Sequence, residues 1–274
     1  MSGETKSLGQ KDFADRFYTK DAIVRKCMDY LKSVVDTTNA HFIEPSAGAG
    51  AFLPYLNEGY NAFDILPAAE GITEADWLEL NKESLYPHDV PNIVIGNPPF
   101  GVQNSMAIKF FNASGGADYI AFILPKSFRK PSVQNKLDLY FKLIGEIDIP
   151  AESFIFNGND YGANCTFQVW QKTDKEREKI KGRTTSPYFE FTKDKTKATC
   201  SVRRVGASAG KASKSLDFSE QSNYFIINKT SMTDEEFIAF LNNLAHERAE
   251  NAVGPKSLSK SELVEDFEAS YTGS

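Results

Sequence analysis

Short apolar runs, each bounded by polar or turn-forming residues, recur along the first 172 residues of the chain. They predict strands at 41–44, 61–65, 92–96, 119–125, 144–149 and 165–171. A helix is predicted over 21–35, where apolar residues return every three or four positions, and further helices over 106–111 and 133–143. Helices between consecutive strands are what parallel crossovers require. The pattern therefore predicts an α/β fold with a doubly wound, mostly parallel sheet.

The pattern is weaker beyond residue 172. Short strands are predicted at 187–191, 198–205 and 224–227, and an amphipathic helix from Thr233 to about Ala249. Residues 206–215 are rich in Gly, Ala, Ser and Lys and are typical of a mobile loop, while the charged residues 173–185 are typical of a linker or a helix. We expect a catalytic domain over 1–172 and, over 173–274, a basic linker with a small α+β extension that is a candidate substrate-recognition region.

The composition indicates a protein of the cytoplasm or nucleus. No apolar run is long enough to span a bilayer, and the N-terminal segment MSGETKSLGQKDF is too polar for a secretory signal. The three cysteines, Cys27, Cys165 and Cys200, are scattered without metal-ligand spacing and are expected to be reduced thiols. With only three histidines in 274 residues, no metal site is expected.

The distribution of charge changes what the net charge indicates. The overall value of −6 argues against a nucleic-acid partner. Residues 171–215, however, contain 13 Lys or Arg against five Asp or Glu. Such a run is either an ordinary solvated face or a surface that neutralises a phosphate backbone. In the second case Lys181, Arg183, Arg203 and Arg204 are the candidate phosphate contacts.

The strand predicted at 92–96 ends in the segment Asn97-Pro98-Pro99-Phe100. Two consecutive prolines cannot continue a central strand or lie inside a helix, so the chain leaves the sheet there on a stiff path. The Asn97 side chain and the proline carbonyls offer hydrogen-bond acceptors, and Phe100 offers a flat face. The segment suits a planar amine such as the exocyclic nitrogen of a base. The alternative is a proline-rich turn with a core phenylalanine.

A turn of small residues, Pro45-Ser46-Ala47-Gly48-Ala49-Gly50, follows the strand predicted at 41–44. Gly48 and Gly50 would allow a ligand to approach the backbone closely, and a helix that starts after the turn would present free N–H groups. The next predicted strand ends near Asp64, at the spacing expected of an acceptor for ribose hydroxyls. Asp64 could equally be a turn residue or a helix cap.

The pairing of EPSAGAGAF at 44–52 with NPPF at 97–100 resembles the S-adenosylmethionine-dependent amino-methyltransferases, especially the adenine-N6 DNA enzymes whose cofactor motif precedes the catalytic one. Asp15-Arg16-Phe17-Tyr18-Thr19 is similar to the family's most N-terminal motif, and Asp76 to its acidic residue for the adenine amino group. The resemblance spans roughly residues 13–172, in the family's order, and implies a Rossmann-like methyltransferase sheet whose final strand, at 165–171, is antiparallel.

S-adenosylmethionine is the cofactor that the resemblance implies. The implied cofactor-binding residues are Phe17, Tyr18, Thr19, Glu44, Pro45, Ser46, Ala47, Gly48, Gly50, Asp64, Ile65, Asp76, Trp77 and Asn97.

The implied catalytic residues are Asn97, Pro98, Pro99 and Phe100. An aryl amine is a poor nucleophile and the sulfonium methyl group a good electrophile, so the site gains most by aligning the two. Asn97 and the Pro98 carbonyl would accept from the amine while Phe100 stacks on the ring. A base within a duplex would have to be flipped out. Family members sandwich it with a second aromatic residue, for which Phe156 is the first candidate and Tyr161 the second; a plain core role for either is equally compatible.

Nucleic acid is the expected partner, DNA rather than RNA. An asparagine before the prolines also fits RNA adenine-N6 enzymes and the glutamine-N5 methyltransferases of release factors, because a glutamine amide is a planar amine too. A non-catalytic nucleic-acid-binding subunit is a further alternative. About 100 residues is small for a sequence-reading domain, so a recognition subunit or a second copy of the chain is a candidate partner.

Overall fold

A computed structural model describes residues 17–156, 159–246, 249 and 256–271. The chain forms two compact units. The first comprises the described residues of 1–125 and 135–178, and the second those of 126–134 and 179–274. The division into a catalytic part and a recognition part, expected at residues 172/173, stays a prediction. The N-terminal residues up to 16, including Asp15 and Arg16 of the predicted motif, lie outside the described residues.

The first unit is built on one seven-stranded sheet. Its elements are β1 (Phe17–Thr19), α1 (Asp21–Val34), β2 (His41–Glu44), β3 (Asn61–Asp64), β4 (Thr73–Glu74), β5 (Asn92–Gly96), α2 (Ser105–Ala113), β6 (Tyr119–Pro125), β7 (Phe141–Ile149), β8 (Phe154–Phe156), β9 (Asn159–Tyr161) and β10 (Cys165–Lys172). The strand order is β4-β3-β2-β5-β6-β10-β7. In this order the first five strands, from β4 to β6, are parallel to one another, and β10 is antiparallel to both of its neighbours, β6 and β7. This confirms the predicted doubly wound, Rossmann-like sheet with an antiparallel last strand.

The centre of this sheet is apolar on both faces. Ile93, Val94 and Ile95 of β5 are fully buried, as is expected of a parallel strand that is covered on both sides. Helix α1 packs its predicted apolar stripe, which includes Val24 and Leu31, into the same core. The rigid centre fixes the positions at which β2 and β5 end.

A second, three-stranded antiparallel sheet in the order β1-β8-β9 belongs to the same unit. Thr19 lies opposite Phe154, and Phe154 lies opposite Tyr161. Lys20 also forms an ion pair with Asp160, with 2.8 Å between Nζ and Oδ1. The N-terminal motif is therefore joined to residues more than a hundred positions further along the chain.

The helix predicted over 133–143 is wrong. Only α3 (Pro131–Gln134) is helical there, and strand β7 already begins at Phe141. The physical cause is Asp138, whose Oδ1 accepts from the backbone N–H of Tyr140 at 3.0 Å. A side chain that bonds to the backbone two residues on favours a turn over a helix.

The helix expected after the glycine turn is also wrong. Residues Leu53–Tyr55 form only a single 3-10 turn, and Leu56 is already extended. The side chain of Asn57 donates to the carbonyls of Thr37 and Ala40 at 2.9 and 2.8 Å, which fastens the chain before a helix could continue.

The second unit is a four-stranded antiparallel sheet with helices on one face. Besides α3 it contains β11 (Phe189–Thr192), β12 (Cys200–Arg203), β13 (Ala212–Ser213), β14 (Asn223–Asn228), α4 (Asp234–Asn243) and α5 (Lys260–Ser270). The order is β11-β14-β12-β13. Its core contains Phe189, Ile226, Phe237 and Phe267. No helix among the described residues of the chain has the length and apolar character needed to cross a membrane.

Three predictions for this unit need correction. The mobile loop at 206–215 contains β13, which pairs with β12, and Gly210 is buried there. The helix expected to reach Ala249 ends at Asn243, because Leu244 takes an extended conformation. Helix α5 was not predicted, although Ser259 and Glu262 form a capping box at its start.

Candidate active site

The candidate site lies at the carboxyl ends of β2, β3 and β5. From β2 the chain continues to β3 on one side, and from β5 it continues to β6 on the other, although β2 and β5 are neighbours. Such a change of direction opens a crevice at the strand ends, where ligands bind in open α/β sheets. Glu44, Asp64 and Asn97 stand at these three strand ends.

The glycine turn follows β2 and borders this crevice. Gly48 has φ +55°, and a Cβ atom at this position would meet nothing within 4 Å. Gly50 has φ +77°, but a Cβ atom there would come within 2.9 Å of Leu53 Cδ1. A side chain at position 48 would thus meet no described atom, whereas one at position 50 would press against Leu53.

Asp64 holds the glycine turn in place. Its Oδ2 accepts from the Gly48 N–H at 2.8 Å and its Oδ1 from the Leu66 N–H at 2.9 Å. The turn thus lies against β3 without the helix that the sequence suggested.

Glu44 is buried at the end of β2, with 2% of its surface exposed. Its Oε2 has no hydrogen-bond partner among the described residues. Burial, and to a smaller extent the charge of Asp64, raise the pKa of this carboxyl to about 8. Gly96 leaves room for the side chain, because a Cβ atom on Gly96 would lie 3.3 Å from Glu44 Cγ. Glu44 is an acceptor that lacks a donor.

Asn97 lies directly after β5 and is tied to two neighbouring segments. Its Nδ2 donates to Thr19 Oγ1 at 3.3 Å, and its backbone carbonyl accepts from Ser46 Oγ at 3.3 Å. These contacts leave Oδ1 buried, and no described residue donates to it. The hydrogen bond from Nδ2 thus orients the Asn97 side chain, and Oδ1 remains as an acceptor. Pro98 is buried, Pro99 exposed, and Phe100 half-buried against the core of the first unit.

The other residues predicted for the cofactor differ in exposure. Tyr18 and Ile65 are exposed, Pro45 and Ala47 are buried, and the Asp76 carboxylate is exposed and accepts from the Leu78 N–H at 2.8 Å. Trp77 is a core residue, buried beside Phe63 at a ring separation of 6.0 Å. Of the two candidate sandwich residues, Tyr161 is 42% exposed. The side chains of Phe17 and Phe156 lie outside what the structure describes.

The four predicted phosphate contacts all belong to the second unit. Lys181 and Arg183 are exposed, and Arg183 forms an ion pair with Glu268. Arg203 and Arg204 are half-buried: Arg203 Nε donates to the Val205 carbonyl at 3.0 Å, and the Arg204 guanidinium lies 5.0 Å from the Tyr224 ring centre. Three of the four cations therefore have a partner within their own unit.

Sequence reasoning missed two features. Gly96 makes the space for Glu44, and its only signal in the sequence is a glycine at the end of an apolar strand. His246, to which the sequence assigned no role, is nearly buried, and its Nδ1 lies 2.8 Å from Asp266 Oδ2. Across the described ranges no three His, Cys, Asp or Glu side chains are grouped so that they could hold a metal ion.

The strand order and the crevice define a Rossmann-like fold of the doubly wound class. No family model and no curated protein matches the sequence. Similar solved structures include an RNA methyltransferase candidate from Pyrococcus horikoshii, at 14% identity over 61% of this chain and 91% of that one, with a TM-score of 0.46.

Two further similar structures have the same level of likeness. The match to a candidate class I S-adenosylmethionine-dependent methyltransferase from Listeria monocytogenes has 15% identity and a TM-score of 0.45, and it covers 60% of this chain and 63% of that one. The match to a modification subunit of a candidate type I restriction enzyme from Vibrio vulnificus has 13% identity and a TM-score of 0.43, and it covers 61% of this chain and 46% of that one. At these values the likeness carries no information on substrate.

Proposed function

We propose that this protein transfers a methyl group from S-adenosylmethionine to the exocyclic N6 amine of adenine in DNA. The observation that carries the proposal is the orphan acceptor of Asn97, whose buried Oδ1 has no donor in the described part of the chain while Nδ2 is fixed by Thr19. A buried polar atom without a partner is unfavourable, and a native protein retains one where a ligand completes it. An N–H group of a bound ligand would supply the missing donor.

The surroundings of Asn97 favour an aromatic amine as that donor. The Pro98 carbonyl follows on a backbone that proline makes stiff, so it can accept from the second hydrogen of the same NH₂ group. Phe100 stands two residues further with part of its ring uncovered. Two acceptors and a stacking face describe a planar amine attached to a ring, and the NPPF resemblance selects adenine.

The residues at the neighbouring strand ends fit S-adenosylmethionine. No described residue donates to Glu44 Oε2, which suits the ammonium group of the cofactor, and no described atom fills the space beside Gly48, which would take the cofactor's main body. Asp64, which holds the glycine turn at the end of β3, is the candidate for the ribose hydroxyls. Asp76 and Ile65 remain candidates for the adenine end. When bound, the cofactor supplies an electrophilic methyl group.

The protein's own part in the reaction is orientation. Asn97 and the Pro98 carbonyl hold the amine so that its lone pair points along the line of attack. Their hydrogen bonds would strengthen as the nitrogen takes up the methyl group, whose bond to sulfur breaks, and becomes positive; the nitrogen would then give one proton to solvent. Alignment of this kind is worth several powers of ten in rate, so no strong base is required.

Access to the amine requires that the target base leave the duplex. Tyr161 shares a row across the small sheet with Phe154 and Thr19, and Thr19 contacts Asn97, so Tyr161 lies on the face that leads to the proposed amine site. It is our candidate for the second stacking residue. Lys181 and Arg183 are the exposed candidates for phosphate contacts, and a recognition subunit or a second copy of the chain would extend a small recognition surface.

Label transfer tests the proposal directly. The full chain is incubated with methyl-labelled S-adenosylmethionine and separate pools of duplex DNA, single-stranded DNA, RNA and protein, and the labelled unit is identified after digestion. We expect N6-methyladenine from DNA. Asn97→Ala should lower transfer by at least about a hundredfold with little change in cofactor affinity, whereas Asn81→Ala, at an exposed turn, should behave as the parent. Label only in RNA or in glutamine amides would overturn the proposal.

A further inference from the structure

The loop that follows Phe100 carries the most exposed large apolar side chain in the described part of the chain. Val102 is 82% exposed, whereas the next in order, Ile65, is 60% exposed. A single exposed valine needs no explanation by itself. Val102, however, stands two residues after Phe100 of the proposed amine site, and the residues on either side of it have unusual backbone conformations.

Three residues around Val102 have left-handed backbone conformations. Gly101 has φ +68°, Gln103 +52° and Asn104 +67°. The last two are not glycines, and for such residues this region of φ is unfavourable and is kept where the surrounding structure enforces it. Strain of this kind recurs where a side chain must be presented in a fixed position.

The first turn of α2 supplies the enforcement. The Phe100 carbonyl accepts from the N–H groups of Met106 and Ala107 at 3.2 and 3.3 Å. Gly101 lies so close that a Cβ atom on it would be 3.0 Å from the Met106 nitrogen and 2.7 Å from its Cγ. Val102 therefore projects from a closed, packed loop with few conformations to lose on binding.

The charge of this stretch suits contact with a polyanion. Residues 90–117 contain no Asp or Glu and one basic residue, Lys109, in a chain that has 37 acidic residues among 274. Lys109 is exposed. The stretch itself therefore carries no charge that would repel a phosphate backbone.

We propose that Val102 is a wedge that enters the base stack of a DNA duplex at the place from which the target adenine is extruded. The inference rests on the proposed function. Apolar side chains that enter a base step take over contacts that the lost base had made, which lowers the cost of unstacking. A β-branched valine on a fixed loop is compact and has little rotamer freedom, as this role requires. Phe100 would hold the extruded base while Val102 fills the stack it has left.

The test compares paired and unpaired targets. The substrate is a short duplex that carries the methylated site found in the labelled DNA, with the target adenine either opposite thymine or opposite an abasic position. Val102→Ala should lower kcat/KM on the paired target by about tenfold, which is the factor expected when the burial of two side-chain carbon atoms is lost. On the abasic duplex the variant should lie within about twofold of the parent, because an unpaired adenine costs less to extrude. Val102→Leu should retain activity on both.

The controls separate this inference from the function on which it rests. Val34→Ala, at an exposed valine on α1, should match the parent on both duplexes. Equal losses on the paired and abasic targets, or no loss on either, would overturn the wedge while adenine methylation by the parent stood. If the parent protein transferred no label to DNA, the proposed function would fail first, and the wedge with it.

Discussion

Replacing Glu44 by glutamine should stabilise the protein at neutral and alkaline pH while it weakens cofactor binding. The parent carboxyl is 2% exposed, and one of its oxygens has no donor among the described residues. Ionising such a group without a partner is costly, which is why its pKa rises to about 8. Glutamine keeps the shape of the side chain and removes the ionisation.

The magnitude follows from the difference between the folded and unfolded pKa. The ordinary value is 4.5 and the folded value about 8, so the folded state binds more protons between these limits. Stability contributed by the protonated carboxyl is complete below pH 4.5 and is lost as the pH rises through the folded pKa. Between pH 5 and pH 8 the parent should lose about 3 kcal/mol relative to Glu44→Gln.

Urea unfolding at pH 5, 6, 7 and 8 measures this difference. The quantity of interest is the slope against pH, because the amide has hydrogen-bonding needs of its own that shift both ends of the curve alike. Glu58→Gln, at an exposed position of the same unit, is the matched control and should follow the parent. Parallel curves for the parent and Glu44→Gln would show that the buried carboxyl does not titrate in this range.

Cofactor binding gives an independent reading of the same group. An ammonium group next to Glu44 favours the carboxylate, so binding near pH 7 should release a proton. Calorimetry in two buffers of different ionisation enthalpy measures that proton, and the signal should vanish in Glu44→Gln together with most of the affinity. Proton release that persisted in the variant would exclude Glu44 as the ammonium partner.

Three further substitutions test separate parts of the site. Gly48→Ala and Gly59→Ala each place a side chain at a left-handed position where no described atom lies within 4 Å, so each variant should lose about 1 kcal/mol of stability. Only Gly48→Ala should weaken cofactor binding, as measured by calorimetry. Equal cofactor affinities in the two variants would remove Gly48 from the cofactor site. Phe100→Ala should raise KM for DNA by about tenfold through lost stacking, and an effect on cofactor affinity instead would contradict this. Lys181→Ala with Arg183→Ala should reduce the salt slope of DNA binding by about two, whereas an unchanged slope would assign both residues to a solvated face.

The parts of the fold that could be predicted from the sequence are those decided by local pattern. β2 and β5 have the predicted bounds, because a strand buried on both faces is a largely continuous apolar run. Pro45 and the glycine turn end β2, and the prolines after Asn97 keep β5 from continuing. The strand predicted at 144–149 is present in β7, but β7 begins earlier, at Phe141, within the predicted helix. Residues 133–143 have the apolar spacing of a helix, and the Asp138 turn that prevents it depends on one side-chain bond.

The sheet that contains the N-terminal motif was beyond a local reading. Thr19 pairs with Phe154 across more than a hundred residues, and neither segment has a pattern that names the other. The contact between Thr19 and Asn97 depends on this pairing. Sequence motifs could nominate both residues through a family resemblance, but only the fold brings the side chains together.

The candidate site gives up stability at adjacent strand ends. Glu44 and Asn97 each have a buried oxygen to which no described residue donates, and the loop after Phe100 keeps two non-glycine residues in left-handed conformations. Hydrophobic residues of the same size would remove the first cost, and glycine the second. A ligand with a cationic group near β2 and an aromatic amine near β5 would satisfy both acceptors at once. The energy withheld on folding would then be available for binding the proposed cofactor and base.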